Sequence, residues 1–407
     1  MTLKKLYFKG SGGNQLSALL DLPADGRPEA FALFAHCFTC TKNLKSINHI
    51  SRALTRERVA VLRFDFTGLG ESEGDFADTN FSTNIADLVA AADFLEADYE
   101  APKILIGHSL GGAAVLQAAG QIPSSKAVVV IGAPADPAHV MRHFKDHQQT
   151  IAREGEAEIA IEGRPFRIKK QLLDDLGAVQ MEKAVRNLKK ALLVFHSPVD
   201  STVSIDNAAK IFQYARHPKS FISLDRADHL LMNAADARYV GAVIATWVRK
   251  YLAIEKPEPP EGSTEENHVV ARIGDAGFRT EIMANGLSLI ADEPLSVGGT
   301  NMGPTPYDYL VAGLGACTAM TLRMYADRKK WPLEEVVVSL SHKKIHAKDC
   351  ETCETVPVMV DWIERALELT GPLDASQSKR LMEIADRCPV HRTLESKVKI
   401  QTTLQSE

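Results

Sequence analysis

The sequence predicts two folds in one chain: an α/β domain built on a mostly parallel sheet over residues 1–253, then a smaller α+β domain over 268–407. Three observations predict this. Apolar runs at 31–35, 60–64, 103–106, 127–131, 191–195 and 220–224 alternate with amphipathic stretches near 45–56, 80–97, 110–119, 204–214 and 234–251. The segment IEKPEPPEGSTEE is rich in proline, glycine and acid and almost free of apolar residues. After it the order changes, with short strand patterns first and one long helix next.

Each element follows from its residues. Runs such as FALFA, AVVVI and ALLVF carry no polar residue, as strands covered on both faces do. Strand–helix alternation then places helices on both sides of a parallel sheet. Residues 135–190 break the rhythm, are rich in charge and contain a hairpin pattern, AEIAIEGRPFRI. They read as a small cap over the sheet. The acidic, proline-rich stretch cannot supply a core element and reads as a linker over 254–267. Beyond it, strands are expected near 269–273, 279–283 and 287–291. A helix then starts in GPTPYDYL, with Thr305 as N-cap and Pro306 in the first turn, and runs to about residue 328. Two longer strands, a helix over 374–387 and a last strand near 397–402 complete the domain.

Composition narrows the function classes. Of 407 residues, 45% are apolar and 24% charged, the balance of an ordinary globular protein. The net charge of -5 with no basic block argues against a nucleic-acid partner. No apolar run approaches the ~18 residues of a membrane span. The early Lys4-Lys5 pair is not followed by an apolar core, so no secretory signal is read and the cytoplasm is expected. Six cysteines are too few for a disulfide scaffold in a chain of this size.

The first chemical constellation is KILIGHSLGGAA, in which Gly107-His108-Ser109-Leu110-Gly111 fits G-x-S-x-G between an apolar strand and an apolar helix. That context makes the serine a nucleophile candidate at the carboxyl edge of the sheet. The alternative is a glycine-rich turn that merely exposes a serine. Partners in the required order favour chemistry. Asp200 follows the strand 191–195, and His229 lies in DRADHLL after the strand 220–224. His229 would take the serine proton, and Asp200 would orient its imidazole. Asp225, Asp228 and His196 compete for these roles. Asp228 is too close in sequence to orient its neighbour, and His196 is read as shaping the Asp200 loop. The amide of Leu110 and that of Phe38, or of Cys37, are the candidate oxyanion donors. Cys37 and Cys40 form a C-x-x-C. With no thioredoxin-like context, they read as small residues lining the acyl pocket, a redox pair being the other reading.

With D-x-x-G-x-G-x-S-x-G at 65–74 added, residues 1–253 resemble the α/β-hydrolase superfamily, in its esterase, acyltransferase and peptidase branch. The usual H-G dipeptide is here His36-Cys37.

The second constellation is in residues 268–407. Cys317 sits in PYDYLVAGLGACTAM on the long helix, sharing a helical face with Leu310, Leu314, Thr321 and Met324. Cys388 follows the next helix in ADRCPVHRTL. Each alone reads as a packing or helix-end cysteine. The helix motif P-x-D-x-L-x-A-x-x-G-A-C-T with the later C-P-V-H resembles the OsmC/Ohr family of thiol peroxidases. That resemblance implies that Cys317 attacks an organic hydroperoxide and Cys388 resolves the sulfenic acid as a disulfide, with a thiol as reductant. It also implies an arginine from an early strand, matched by Arg279, and a homodimer through the C-terminal domain. The family's glutamate ten residues before the cysteine is replaced by Tyr307, with Asp308 next. The cluster His342, His346, Cys350 and Cys353 spaces like zinc ligands. Four residues along a strand span ~13 Å, too far for two ligands of one ion, so a surface turn or secondary redox pair is the preferred reading.

The expectation is a bifunctional enzyme with no cofactor and no metal: a serine hydrolase of an ester, thioester or small amide, fused to a hydroperoxide-reducing domain. The alternative is a hydrolase or acyltransferase whose C-terminal domain is a non-catalytic dimerisation or binding module.

Overall fold

The computed structural model describes residues 2–161, 163–252, 269–274, 277–346 and 359–404. The expected linker 254–267 and the pair Cys350/Cys353 lie outside the described residues. The chain divides into two compact units, Met1–Arg272 with Glu281–Leu289, and Ile273–Thr280 with Ile290–Glu407.

In the first unit a hairpin opens the chain, β1 (Thr2–Lys9) and β2 (Gln15–Leu22), followed by β3 (Ala30–Ala35), α1 (Lys45–Arg56), β4 (Val59–Phe64), α2 (Phe81–Asp98), β5 (Ile104–His108), α3 (Leu110–Ala118) and β6 (Ala127–Ile131). The cap comes next, with a 3-10 segment Pro137–His147, α4 (Gln148–Glu154), the hairpin β7 (Glu156–Ile161) and β8 (Arg164–Lys169), α5 (Lys170–Ala178) and α6 (Met181–Arg186). The unit then runs through β9 (Ala191–His196), α7 (Asp206–Tyr214), β10 (Lys219–Ser223) and α8 (Ala234–Leu252).

The eight strands of the main sheet lie in the order β1-β2-β4-β3-β5-β6-β9-β10. The β1–β2 and β2–β4 pairs are antiparallel and the pairs from β4 to β10 parallel. The antiparallel hairpin was not among the expected strands.

Side-chain alternation splits the core in two. Leu33, Leu62, Leu105 and Val128 face α2, α3 and the cap, while Phe34, Val61, Ile106 and Val129 face α1 and α8. Both sets are essentially inaccessible, so successive residues of a strand are apolar on both faces except where a buried partner serves a polar one, as Asp21 does Arg63. At ~1.5–3 kcal/mol for each buried apolar side chain, this burial fixes the register and holds the carboxyl ends of β5, β9 and β10 along one edge.

The remaining described elements are β11 (Val269–Ile273), β12 (Thr280–Ala284) and β13 (Leu287–Ala291), which form one three-stranded sheet, then α9 (Pro306–Lys329), the pair β14 (Glu335–His346) and β15 (Met359–Thr370), α10 (Ala375–Ala385) and α11 (Pro389–Leu394). Strands β14 and β15 pair antiparallel. Thr305 caps α9 as expected, its hydroxyl accepting from the Asp308 amide while the Asp308 carboxylate accepts from the Thr305 amide. A small core of Leu322, Ala326, Leu333, Leu381, Ile384 and Ala385 joins α9 to α10.

Two expectations are corrected here. The buried face of α9 is Leu314, Gly315, Thr318, Leu322 and Ala326. Leu310 and Met324 are exposed and Cys317 half-buried, so the expected face is rotated by about one residue. The last strand near 397–402 does not form, because a strand pattern makes a ladder only beside a neighbour and none lies there among the described residues.

Candidate active site and thiol sites

Ser109 is the hinge between β5 and α3, with φ 55° and ψ -124°. A non-glycine residue in this region is strained, and packing enforces the turn. A Cβ on Gly107 would lie 2.3 Å from the Gly111 carbonyl oxygen, and one on Gly111 would lie 2.3 Å from the His36 carbonyl oxygen. Both flanks must therefore be glycine for β5, α3 and the loop after β3 to approach this closely.

Three side chains separated by up to 120 residues meet at this edge. Ser109 Oγ donates to His229 Nε2 at 2.9 Å, and His229 Nδ1 donates to Asp200 Oδ2 at 2.7 Å. The other Asp200 oxygen accepts from the amides of Thr202 and Val203, each at 2.8 Å. Burial raises the Asp200 pKa, but the His229 bond, the His229 charge and the two amides outweigh it, so the carboxyl lies below its ordinary value.

The competing residues serve as scaffold. Asp228 accepts from the amides of Leu230 and Met232, and Asp225 accepts from Ser223 Oγ. His196 donates to the Val203 carbonyl at 2.7 Å, closing the Asp200 loop as expected.

Sequence reasoning missed one partner. His108 Nε2 donates to the backbone carbonyl of His229 at 2.6 Å. Burial first, and the neighbouring His229 charge second, lower its pKa to about 3. It is thus a neutral tether for the loop that carries His229. No local signal joins residues 108 and 229.

Leu110 is the first residue of α3, so its amide is one that helix geometry leaves without an intrahelical acceptor. Phe38 follows the buried His36, whose Nδ1 donates to the Cys37 carbonyl at 2.7 Å. That carbonyl and the Phe38 amide belong to one peptide group, so the bond fixes where the Phe38 N–H points. Phe38, Leu110, Ser109 and His229 line one cavity of about 330 Å³, closed on the cap side by Val140 and Ile161. A larger cavity of about 510 Å³, lined by Ser82, Gln117, Asp175 and Lys183, holds none of the three reactive side chains. The smaller cavity is the one with chemistry.

Cys37 and Cys40 are joined as a disulfide. Cys37 lines the cavity and Cys40 does not, so the expectation that both line the acyl pocket is corrected for Cys40; the bonded pair closes a short loop around Phe38.

In the C-terminal unit both expected cysteines are free thiols, Cys317 half-buried and Cys388 buried. Cys388 Sγ accepts from the His391 amide at 3.3 Å and from Thr318 Oγ1 at 3.6 Å, and Thr318 is the residue after Cys317. Arg279 immediately precedes β12 and is half-buried. Arg365 of β15 also stands at the cysteine region: it donates to Thr318 Oγ1 and the Ala385 carbonyl, each at 3.2 Å, and to Asp386 Oδ1 at 2.6 Å. One arginine in a strand of alternating charge has no distinguishing neighbours, so its place at the cysteines is not legible in the residues around it. Tyr307 stacks on His342 with centroids 4.3 Å apart, and His342 pairs with Asp361 at 2.9 Å. No three-residue metal cluster occurs among the described residues, and none of their helices is long and apolar enough to cross a membrane.

Comparison with known proteins agrees with this geometry. Residues 32–253 match the alpha/beta hydrolase family, and residues 299–403 match the OsmC-like protein family. The esterase domain of a Rhodothermus marinus protein is 54% identical, with a TM-score of 0.52 over 62% of this chain and 100% of that domain. Est1E of Butyrivibrio proteoclasticus, solved with ferulic acid, is 22% identical, covers 61% of this chain and 99% of its own, and at a TM-score of 0.51 shares the fold. YfhR of Salmonella typhi, a protein described as uncharacterized, is 26% identical over 58% of this chain and 77% of its own.

Proposed function

Because the chain belongs to the alpha/beta hydrolase family and carries an OsmC-like domain at 299–403, we propose that it is a serine esterase acting on small acyl esters, fused to a thiol-based hydroperoxide reductase. The observation that carries the first activity is the hydrogen-bonded chain from Ser109 through His229 to Asp200. In the proposed reaction His229 takes the Ser109 proton as the oxygen attacks the ester carbonyl. The Phe38 and Leu110 amides receive the oxyanion, and the protonated imidazole returns its proton to the leaving alcohol. Water, activated by the same imidazole, then hydrolyses the acyl-serine. The 54% identity to an esterase domain and the apolar cap residues facing the serine favour a short acyl or aryl ester. Turnover of a panel of p-nitrophenyl esters of increasing chain length tests this. Short chains should be preferred, and Ser109→Ala should lower kcat by about 10⁴-fold or more. Full activity in Ser109→Ala would overturn the reading.

For the second activity, the proposed thiolate of Cys317 attacks a hydroperoxide oxygen, giving an alcohol and a sulfenic acid. The Cys388 thiol then condenses with the sulfenic acid, releasing water and forming a disulfide that an external thiol reduces. The contact between Thr318 and Cys388 supports this, since it places the second thiol against the residue that follows Cys317. Exposed apolar residues on α9 and beyond α11, including Met320, Met324, Val398 and Ile400, support a homodimer through residues 268–407. Peptide mapping after treatment with cumene hydroperoxide should find Cys317 joined to Cys388. Two unreacted thiols would leave the domain as a binding or dimerisation module.

A further inference from the structure

We propose that the Cys37–Cys40 disulfide is a second redox site of this chain, exchanged by small thiols through the ester-binding cavity, and that its state sets the position of the Phe38 oxyanion donor. The inference rests on the esterase reading above. Three observations carry it. The disulfide brackets Phe38 and Thr39, so the donor peptide between Cys37 and Phe38 lies inside the loop it closes. The Cys37 carbonyl, the other half of that peptide, is held twice, by His36 Nδ1 at 2.7 Å and by the Cys40 amide at 3.3 Å. The second of these bonds comes from the other half-cystine, so it depends on the bridge holding Cys40 in place. Finally, Cys37 lines the cavity that holds Ser109 and His229, whereas Cys40 does not. At 6% and 8% exposure, the two half-cystines are nearly closed to bulk solvent, and the cavity that Cys37 lines is the proposed route for a small thiol.

One external thiolate attacks Sγ of Cys37, the Cys37–Cys40 bond breaks, and Cys40 leaves as a thiolate that takes the proton of the incoming thiol. A second external thiol attacks the outer sulfur of the mixed disulfide, releasing the oxidised external disulfide and the Cys37 thiol. Two electrons pass to the protein, and two thiols become one disulfide. Low-molecular-weight disulfides drive the reverse reaction.

Reduction does not free the whole loop. Lys42, two residues on, stays anchored by its amide and ammonium on Asp65, and Arg164 of the cap still donates to the Thr39 carbonyl. What reduction releases is the Cys40 end of the donor peptide. Loss of a complete oxyanion donor costs on the order of 10²–10³ in kcat, so a loosened one should cost on the order of tenfold, with KM little changed.

The test uses the full chain equilibrated with reduced or oxidised dithiothreitol. Thiols are trapped with iodoacetamide and mapped by mass spectrometry, and p-nitrophenyl acetate hydrolysis is followed in parallel. The expected result is a Cys37–Cys40 bridge in the oxidised sample, two alkylated cysteines in the reduced one, and a kcat about tenfold lower after reduction. Cys37→Ser/Cys40→Ser should sit at the lower kcat under both conditions. Equal kcat in the two states, a pair that stays alkylatable after oxidation, or a response that persists in the double variant would each overturn the proposal. Mapping needs no turnover, so it can be read on Ser109→Ala as well. Hydrolysis surviving in that variant sinks the esterase reading, whereas equal rates in the two redox states of the parent sink this one.

Discussion

The rim of the main sheet and the cysteine region of the OsmC-like domain each hold a proposed nucleophile, and they hold it differently. Ser109 is locked into a strained backbone, hydrogen-bonded to an imidazole that is itself bonded to a buried carboxylate. The loops around it are tied down by three further histidines, His36, His108 and His196, each donating to a backbone carbonyl. Cys317 sits half-buried in the interior of a regular helix, where the helix dipole gives little help beyond the first turn. Its expected partner Cys388 is spent as the cap of α11. The contrast shows where pre-organisation lies: the hydrolase rim is assembled by one chain, while the thiol region keeps its apolar helix face open.

That contrast can be broken or sharpened by measurement, the largest effect first. Asp200→Asn keeps the geometry but reverses the tautomer preference of His229, so ester hydrolysis at neutral pH should fall about 10⁴-fold. A loss below tenfold in steady-state kinetics would show that the carboxylate is not needed. Next, Leu105→Ala removes a fully buried side chain from β5, the strand that leads into Ser109, and should destabilise the hydrolase unit by about 2–5 kcal/mol. Denaturant melts followed by hydrolytic activity check this.

Acid should weaken the same unit. His108, with its pKa lowered to about 3, stays neutral in the folded protein while the unfolded chain takes up a proton below pH 6.5. Its contribution is therefore complete above about pH 6.5 and is lost as pH falls toward 3, by about 1.4 kcal/mol per unit for one such group. Burial lowers His36 and His196 in the same direction. Replacing His108 with Asn should flatten the slope of stability against pH over that window, and an unchanged slope would contradict the assignment. The same variant should lower kcat by about tenfold through loss of the bond to the His229 carbonyl, an effect of about 1.4 kcal/mol.

The smallest effect concerns the other region. Ile400 is 88% exposed, so in a monomer Ile400→Ala should alter stability by less than about 0.5 kcal/mol. In the proposed dimer the substitution should raise the protein concentration at the midpoint of a dilution series followed by light scattering, because a weaker dimer dissociates earlier on dilution.

Much of the fold was legible because its signal is local. Runs such as AVVVI can only be strands buried on two faces, and Ser109, Asp200 and His229 follow strand ends in the order that the fold's chemistry demands. In the β1–β2 hairpin, β1 is an edge strand whose lysines alternate with apolar residues, which blurs its signal, whereas β2 is almost wholly buried and mostly apolar and was simply not read. The strand pattern at 397–402 misled for the converse reason: alternation marks a residue set able to pair, not the presence of a partner. His108 and Arg365 were invisible because their contacts span 121 and 47 residues, and nothing in the flanking sequence encodes such distances. The Cys37–Cys40 pair was visible as spacing, but the closed loop around Phe38 was not.

The most direct test of the central claim is chemical trapping of the nucleophile. The full chain is treated with a fluorophosphonate, the loss of p-nitrophenyl acetate hydrolysis is followed, and the modified residue is mapped by peptide mass spectrometry. The account predicts a single adduct on Ser109, forming in step with the loss of activity and much more slowly in Asp200→Asn. An adduct on another residue, or complete inhibition with Ser109 unmodified, would contradict it.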